Sequence, residues 1–306
     1  MPKHAISGVL PVFQTPYHKD ESIDFDTLES EIDWLFEKGS DGIVMAMVSE
    51  VLRLSSEERE ELATDACRFA KKRGPVIISC GAESTHTAVR YAKHAESVGA
   101  AGLMAIPPVS IGVGEAELRG YYEQLLAAVE IPIIVQDASG YVGRPMSIAL
   151  QAGLMNEFGA DRVLFKPEAS PIGPLLSELR DATDGKAAIF EGSGGISLVD
   201  SHKRGIAGTM PGADLIQALV PLWRALESGD QVKADRIHGP LSALVSMQTS
   251  LDGFLAVEKF LLVKQGIFRN EIVRGPRGFS LDPETRTEVE RLFEQLLVAA
   301  TDEISS

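Results

Sequence analysis

The sequence predicts an α/β fold: a (β/α)8 (TIM) barrel over residues 1–229, then a C-terminal helical extension over residues 230–306. Three observations carry that expectation. Short apolar runs recur eight times between residues 8 and 210, amphipathic stretches separate them, and after the eighth run the chain turns wholly helical. Strands alternating with helices read as parallel βαβ units, and eight such units suit a closed barrel. A doubly wound open sheet would have equally apolar strands. The count favours the barrel.

The runs are GVLPVF (8–13), GIVMAM (42–47), PVIISC (75–80), AGLMAI (101–106), IPIIVQ (131–136), RVLFK (162–166), AAIFE (187–191) and GTM (208–210). Each is too short for a buried helix and is bounded by glycine, proline or a polar break. Between the first two lies DFDTLESEIDWLFEKG, with apolar residues at 25, 28, 32, 35 and 36, the spacing of one helical face. The stretches THTAVRYAKHAESVG and EAELRGYYEQLLAAV follow the same pattern, and SSEEREEL at 55–62 places serines before acidic residues, a helix-start signal. Past strand eight come LIQALVPLWRALESGD, QVKADRIHGPLSALVSMQ, FLAVEKFLLVKQG and a last helix near 283–300.

With 306 residues, 44% of them hydrophobic, the chain is long enough to bury a large core. The net charge of −15, with no basic cluster larger than KKR at 71–73, argues against a nucleic-acid partner, which needs a basic face. No apolar stretch reaches the roughly 18 residues of a membrane helix. The start, MPKHAISGVLPVF, lacks the long apolar segment of a secretion signal, so a cytoplasmic protein without membrane association is expected. Two cysteines, Cys67 and Cys80, are too few for a disulfide framework and are expected to be reduced. The six histidines show no H-E-x-x-H spacing, and no metal is expected.

In a barrel of this kind chemistry gathers at the carboxyl ends of the strands. Lys166 is the only lysine at such an end, closing the apolar run VLFK. An amine walled by apolar side chains has its charged form disfavoured, which suits a nucleophile toward a carbonyl. Equally, Lys166 could snorkel to solvent or pair with Glu191 or Glu168. Glu191 and the glycine turn GSGG at 192–195, with Ser193 and Gly194, read either as a small-anion or hydroxyl site or as a tight turn. GSGG does not complete G-x-G-x-x-G, and it is no G-x-S-x-G nucleophile elbow either. Ser49 and Glu50 follow strand two, where they either bind a substrate carboxylate or satisfy a helix-entry loop. Gln136 and Asp137 close strand five.

Taken in order, these strand ends resemble the dihydrodipicolinate synthase/N-acetylneuraminate lyase family. GVLPVFQTPY at 8–17 is similar to the family's opening strand with its T-P pair, and SE at 49–50 stands where its G-T-T-G-E ends. GAEST at 81–85, FKPEAS at 165–170, EGSGG at 191–195 and GIAGTMPG at 205–212 resemble its later strand-end motifs. The resemblance implies that Lys166 forms an imine, that no cofactor is needed, and that the chain assembles as a homodimer or homotetramer. The departures are informative. AMVSE at 46–50 replaces the threonine pair with Met47 and Val48, leaving Ser49 as the hydroxyl for a carboxylate. IIVQDASGYVG puts Gln136 at the position of the family's proton-relaying tyrosine and Tyr141 at its arginine position. Glutamine is neither acid nor base near neutral pH. V-Q-D-A together with S-E resembles the subgroup that dehydrates 2-keto-3-deoxy sugar acids of the L-arabonate type.

The expected activity is therefore that of a Schiff-base-forming lyase on a 2-oxo acid, dehydrating a 2-keto-3-deoxy sugar acid. The alternatives are a pyruvate aldolase, a dihydrodipicolinate-synthase-like condensation, or a non-catalytic sugar-acid binder. Glu191, Tyr141 and a water held by Gln136 are the candidates to replace the missing tyrosine, with Ser49, Glu50, Asp137, Ser193 and Gly194 as the substrate-binding set.

Overall fold

The computed structural model describes residues 5–140 and 143–301. Eight strands appear, each within one of the apolar runs or reaching one residue past it: β1 Gly8–Val9, β2 Ile43–Met45, β3 Val76–Ser79, β4 Gly102–Ala105, β5 Ile133–Asp137, β6 Val163–Pro167, β7 Phe190–Glu191 and β8 Gly208–Thr209. All ladder pairs are parallel, in two sets: β2 to β6 in sequence order, and β7–β8–β1. Single bridges close the ring, Val12 pairing with Val44 and Gly212, and Phe165 with Ile189.

Helices α1 Phe25–Glu37, α2 Ser56–Ala70, α3 Thr85–Ser97, α4 Glu115–Ala128, α5 Ile148–Phe158, α6 Ile172–Ala182, α7 Leu198–Lys203 and α8 Ile216–Ser228 follow the strands in turn. Their starts are chemically marked. Asp24 caps α1 through Thr27 N, and Ser55 with Glu58 forms a reciprocal capping box on α2. Beyond α8 come α9 Gln231–Val245, α10 Leu251–Lys264 and α11 Pro283–Ala300. No helix among the described residues is long and apolar enough to cross a membrane.

The strand period of two divides the core. Val44, Ile77, Met104, Ile134, Leu164 and Phe190 fill the barrel interior. Their neighbours Ile43, Ile78, Leu103, Ile133, Val163 and Phe165 pack outward against helical residues such as Leu28, Ile32 and Leu125. Which side chains reach the barrel mouth is fixed by this alternation.

Candidate active site

Two residues beyond Ile134 and Leu164 lie Gln136 and Lys166, which therefore inherit the inward face. The register of β5 and β6 sets them side by side. Lys166 is only 4% exposed, so it does not snorkel to solvent. Its Nζ donates to Glu168 Oε1 at 2.9 Å, and Gln136 Nε2 donates to the second carboxylate oxygen at 2.5 Å. Burial raises the Glu168 carboxyl above the usual carboxylate range, and the Lys166 charge and Gln136 amide offset this only in part.

These three side chains line a cavity of about 470 Å³, counting space open to solvent at its mouth. Ala46, Met47 and Val48 form one wall, Gly192 and Gly194 another, Met210 to Gly212 a third, and Leu251, Phe254 and Glu258 of α10 the rest. Gly192 is demanded by close approach. A Cβ there would lie 2.6 Å from Glu168 Oε1 and 2.8 Å from Lys166 Nζ, so any side chain would push the pair apart.

Several of the residues singled out in the sequence have their polar atoms committed around the cavity. Phe190 faces inward, so Glu191 takes the opposite phase and turns toward β8. Its carboxylate accepts from Thr209 Oγ1 at 2.7 Å, from Ser193 N at 2.5 Å and from the Ser193 hydroxyl. Ser193 Oγ also receives Ser197 N at 2.9 Å, which ties the glycine turn to the start of α7. Asp137, also in outward phase, holds the following loop by accepting from Ser139 N at 3.0 Å and Met146 N at 2.8 Å. The Ser49 hydroxyl donates to Phe13 O at 2.5 Å and accepts from Ala46 N at 3.1 Å. Glu50 receives Lys259 Nζ at 2.5 Å and Arg274 N at 3.2 Å. Tyr141 lies outside the described residues.

Lys166, Gln136 and Gly194 thus meet in the cavity, while Ser49, Glu50, Asp137, Glu191 and Ser193 brace its surroundings. Sequence reasoning weighed Glu168 only as an ion-pair partner and passed over Glu258 in the helical extension. The signal for Glu168 was its spacing of two from the lysine. Glu258 had no comparable signal, because only the packing of α10 brings it to the cavity.

The comparisons with known proteins agree with this architecture. Residues 5–296 match the model of the dihydrodipicolinate synthetase family. The chain belongs to that family. Membership makes it a lyase of the type that works through a lysine Schiff base. Among relatives of this family member, "L-2-keto-3-deoxyarabonate dehydratase" of Azospirillum brasilense is 28% identical over 94% of this chain and 93% of its own. "Probable 2-dehydro-3-deoxy-D-pentonate aldolase YjhH" of Escherichia coli K12 is 26% identical, covering 85% and 88%. Among solved structures, the dihydrodipicolinate synthase of Rhodopseudomonas palustris superposes with a TM-score of 0.87 at 26% identity, over 95% of this chain and 98% of that one.

Proposed function

We propose that this family member is an imine-forming dehydratase of 2-oxo-3-deoxy sugar acids, with Lys166 as nucleophile and Glu168 as proton carrier. The observation that carries the reading is the Lys166–Glu168–Gln136 arrangement facing one cavity. Lys166 attacks the C2 carbonyl and, with loss of water, gives a protonated imine that acidifies the C3 hydrogens. Glu168 accepts a C3 proton, and its raised affinity for protons suits it to act as base and then as acid near neutral pH. The enamine expels the C4 hydroxyl, which leaves as water with the proton carried by Glu168. Hydrolysis of the remaining imine frees Lys166, and no cofactor is required because the imine is the electron sink.

Gln136 fills the tyrosine position as a holder of Glu168 rather than as a proton relay. The name of the Azospirillum relative supports dehydration. The name of the Escherichia coli relative favours a second reading, retro-aldol cleavage, which shares the enamine but breaks C3–C4 after loss of the C4 hydroxyl proton. Cytoplasmic location and assembly as a homodimer or homotetramer belong to the same proposal, supported by family membership.

Borohydride reduction with pyruvate tests the shared step: an adduct on the Lys166 peptide is expected, and an unmodified peptide would sink the imine. Product analysis across 2-oxo-3-deoxy acids then separates the readings. An intact carbon chain lacking one water supports the dehydratase; pyruvate and an aldehyde support the aldolase.

A further inference from the structure

Glu258 enters the cavity from α10, a helix of the C-terminal extension, and is 2% exposed. Oε2 is bonded to the side-chain amide of Gln14, the residue just past the first apolar run. Oε1 packs against the backbone of Gly212, where a Cβ would come within 2.5 Å of it. Asp214 and Glu31 lie close behind. Burial, and then the charge of Asp214, hold the Glu258 carboxyl well above the usual carboxylate range. A neutral carboxyl is both donor and acceptor, which is what a sugar hydroxyl offers in return.

The charge balance of the cavity points the same way. Among the described residues that line it, Lys166 is the one cation. A 2-oxo acid brings one carboxylate, and the protonated imine supplies one positive charge. A second carboxylate at the far end of the substrate would leave water for a wall that already holds acids and lacks a counter-ion. That is a costly transfer, whereas a hydroxyl that finds a hydrogen-bond partner pays little.

We propose that Glu258 is a specificity-determining residue: its carboxyl binds a hydroxyl on the substrate's tail and selects 2-oxo-3-deoxy acids with an uncharged, hydroxyl-bearing end over those ending in a second carboxylate. This rests on the reading of the cavity as an imine-forming sugar-acid site, and it names the substrate class within that reading.

The test compares kcat/KM for two 2-oxo-3-deoxy acids of equal carbon number, one ending in CH2OH and one in carboxylate. Consumption of substrate is scored, so the outcome does not depend on which bond breaks. The wild type is expected to favour the hydroxyl end by about 10²-fold or more, the scale of one buried polar mismatch. Glu258→Leu is expected to narrow that ratio at least about tenfold, and Glu258→Gln, which keeps a donor and an acceptor, to restore most of it. Borohydride trapping of pyruvate on Lys166 is measured in every variant. An adduct together with an unchanged ratio in Glu258→Leu overturns this proposal alone, as does a wild type that prefers the dicarboxylate. No adduct in the wild type overturns the imine reading and this proposal with it. Where Glu258→Leu fails to fold, Gly212→Ala displaces the carboxyl without removing it; a narrowed ratio supports the proposal and an unchanged one overturns it.

Discussion

Two buried lysine–glutamate pairs stand near the barrel mouth, and they have opposite characters. Lys259 and Glu50 have fully buried side chains, and Lys259 Nζ reaches three acceptors: Thr15 O at 2.8 Å, Glu50 Oε1 at 2.5 Å and Ile272 O at 2.7 Å. The Tyr17 ring centre lies 4.5 Å away and adds a favourable face. An ammonium has three donors, so Lys259 has none to spare. Lys166 is nearly as buried, yet among the described residues Glu168 is the acceptor its Nζ meets, and the cavity opens beside it. Burial removes both lysines from water. Unused hydrogen-bonding capacity next to open space is what separates a reactive amine from a structural one.

Lys166→Ala gives the largest expected effect, a loss of turnover of at least about 10⁴-fold, the scale of deleting a covalent nucleophile. The melting temperature should move little, because Glu168 takes up a proton in place of its lost cation. Lys259→Met inverts the pattern. It strips the buried Glu50 of its closer cation, leaving Arg53 at 3.8 Å, and stability should fall by up to about 3–5 kcal/mol in denaturant unfolding. The folded fraction should still trap pyruvate on Lys166. A Lys259→Met protein of unchanged stability that no longer forms the adduct would break the comparison.

Glu168→Gln sharpens it next. The amide keeps the shape and the contact with Lys166 but cannot carry a proton. Turnover should drop about 10²- to 10⁴-fold, the usual worth of general acid–base help, with imine trapping retained. The low-pH limb of the pH–rate profile that reports Glu168 should vanish as well. Full activity in this variant would take the proton-carrying role away from Glu168.

Much of this is legible in the sequence. The strands match the apolar runs because those runs are bounded by real chain breakers, and their inward phase follows from Leu164 and Lys166 lying two apart. The same phase separates Gln136 from Asp137 and Gly192 from Glu191. That parity is readable in the sequence, and it puts Glu191, a candidate for proton transfer, and Asp137, a candidate for substrate binding, in the outward phase. Other facts had no sequence signal. The Ser49 hydroxyl is taken by a carbonyl 36 residues away, at Phe13. Glu258 sits in the amphipathic run FLAVEKFLLVKQG, where a charged residue ordinarily reads as a solvent-facing position.

The smallest effect concerns the carboxylates behind Lys259. Gln14 N donates to Glu31 Oε1 at 2.9 Å, and the Gln14 side chain bonds Glu258. Burial pushes Glu31 up to about 8 and Asp214 up to about 7. In the unfolded chain these carboxyls titrate near about 4. Between about pH 4 and 8 the folded state therefore holds more protons than the unfolded one, and stability falls as pH rises through that window. Below it the penalty is absent. Glu31→Gln removes one titrating group from the set, so its stability in denaturant unfolding should be close to the wild type near pH 5 and exceed it near pH 8. Lys259 draws the Glu31 value down, but burial outweighs it. If wild type and Glu31→Gln lose stability in parallel across the window, Glu31 is ionised throughout and shares the charge of Lys259. That result would mean Lys259 is not spoken for by Glu50 and the two carbonyls, and the contrast with Lys166 would then rest on access to the cavity alone.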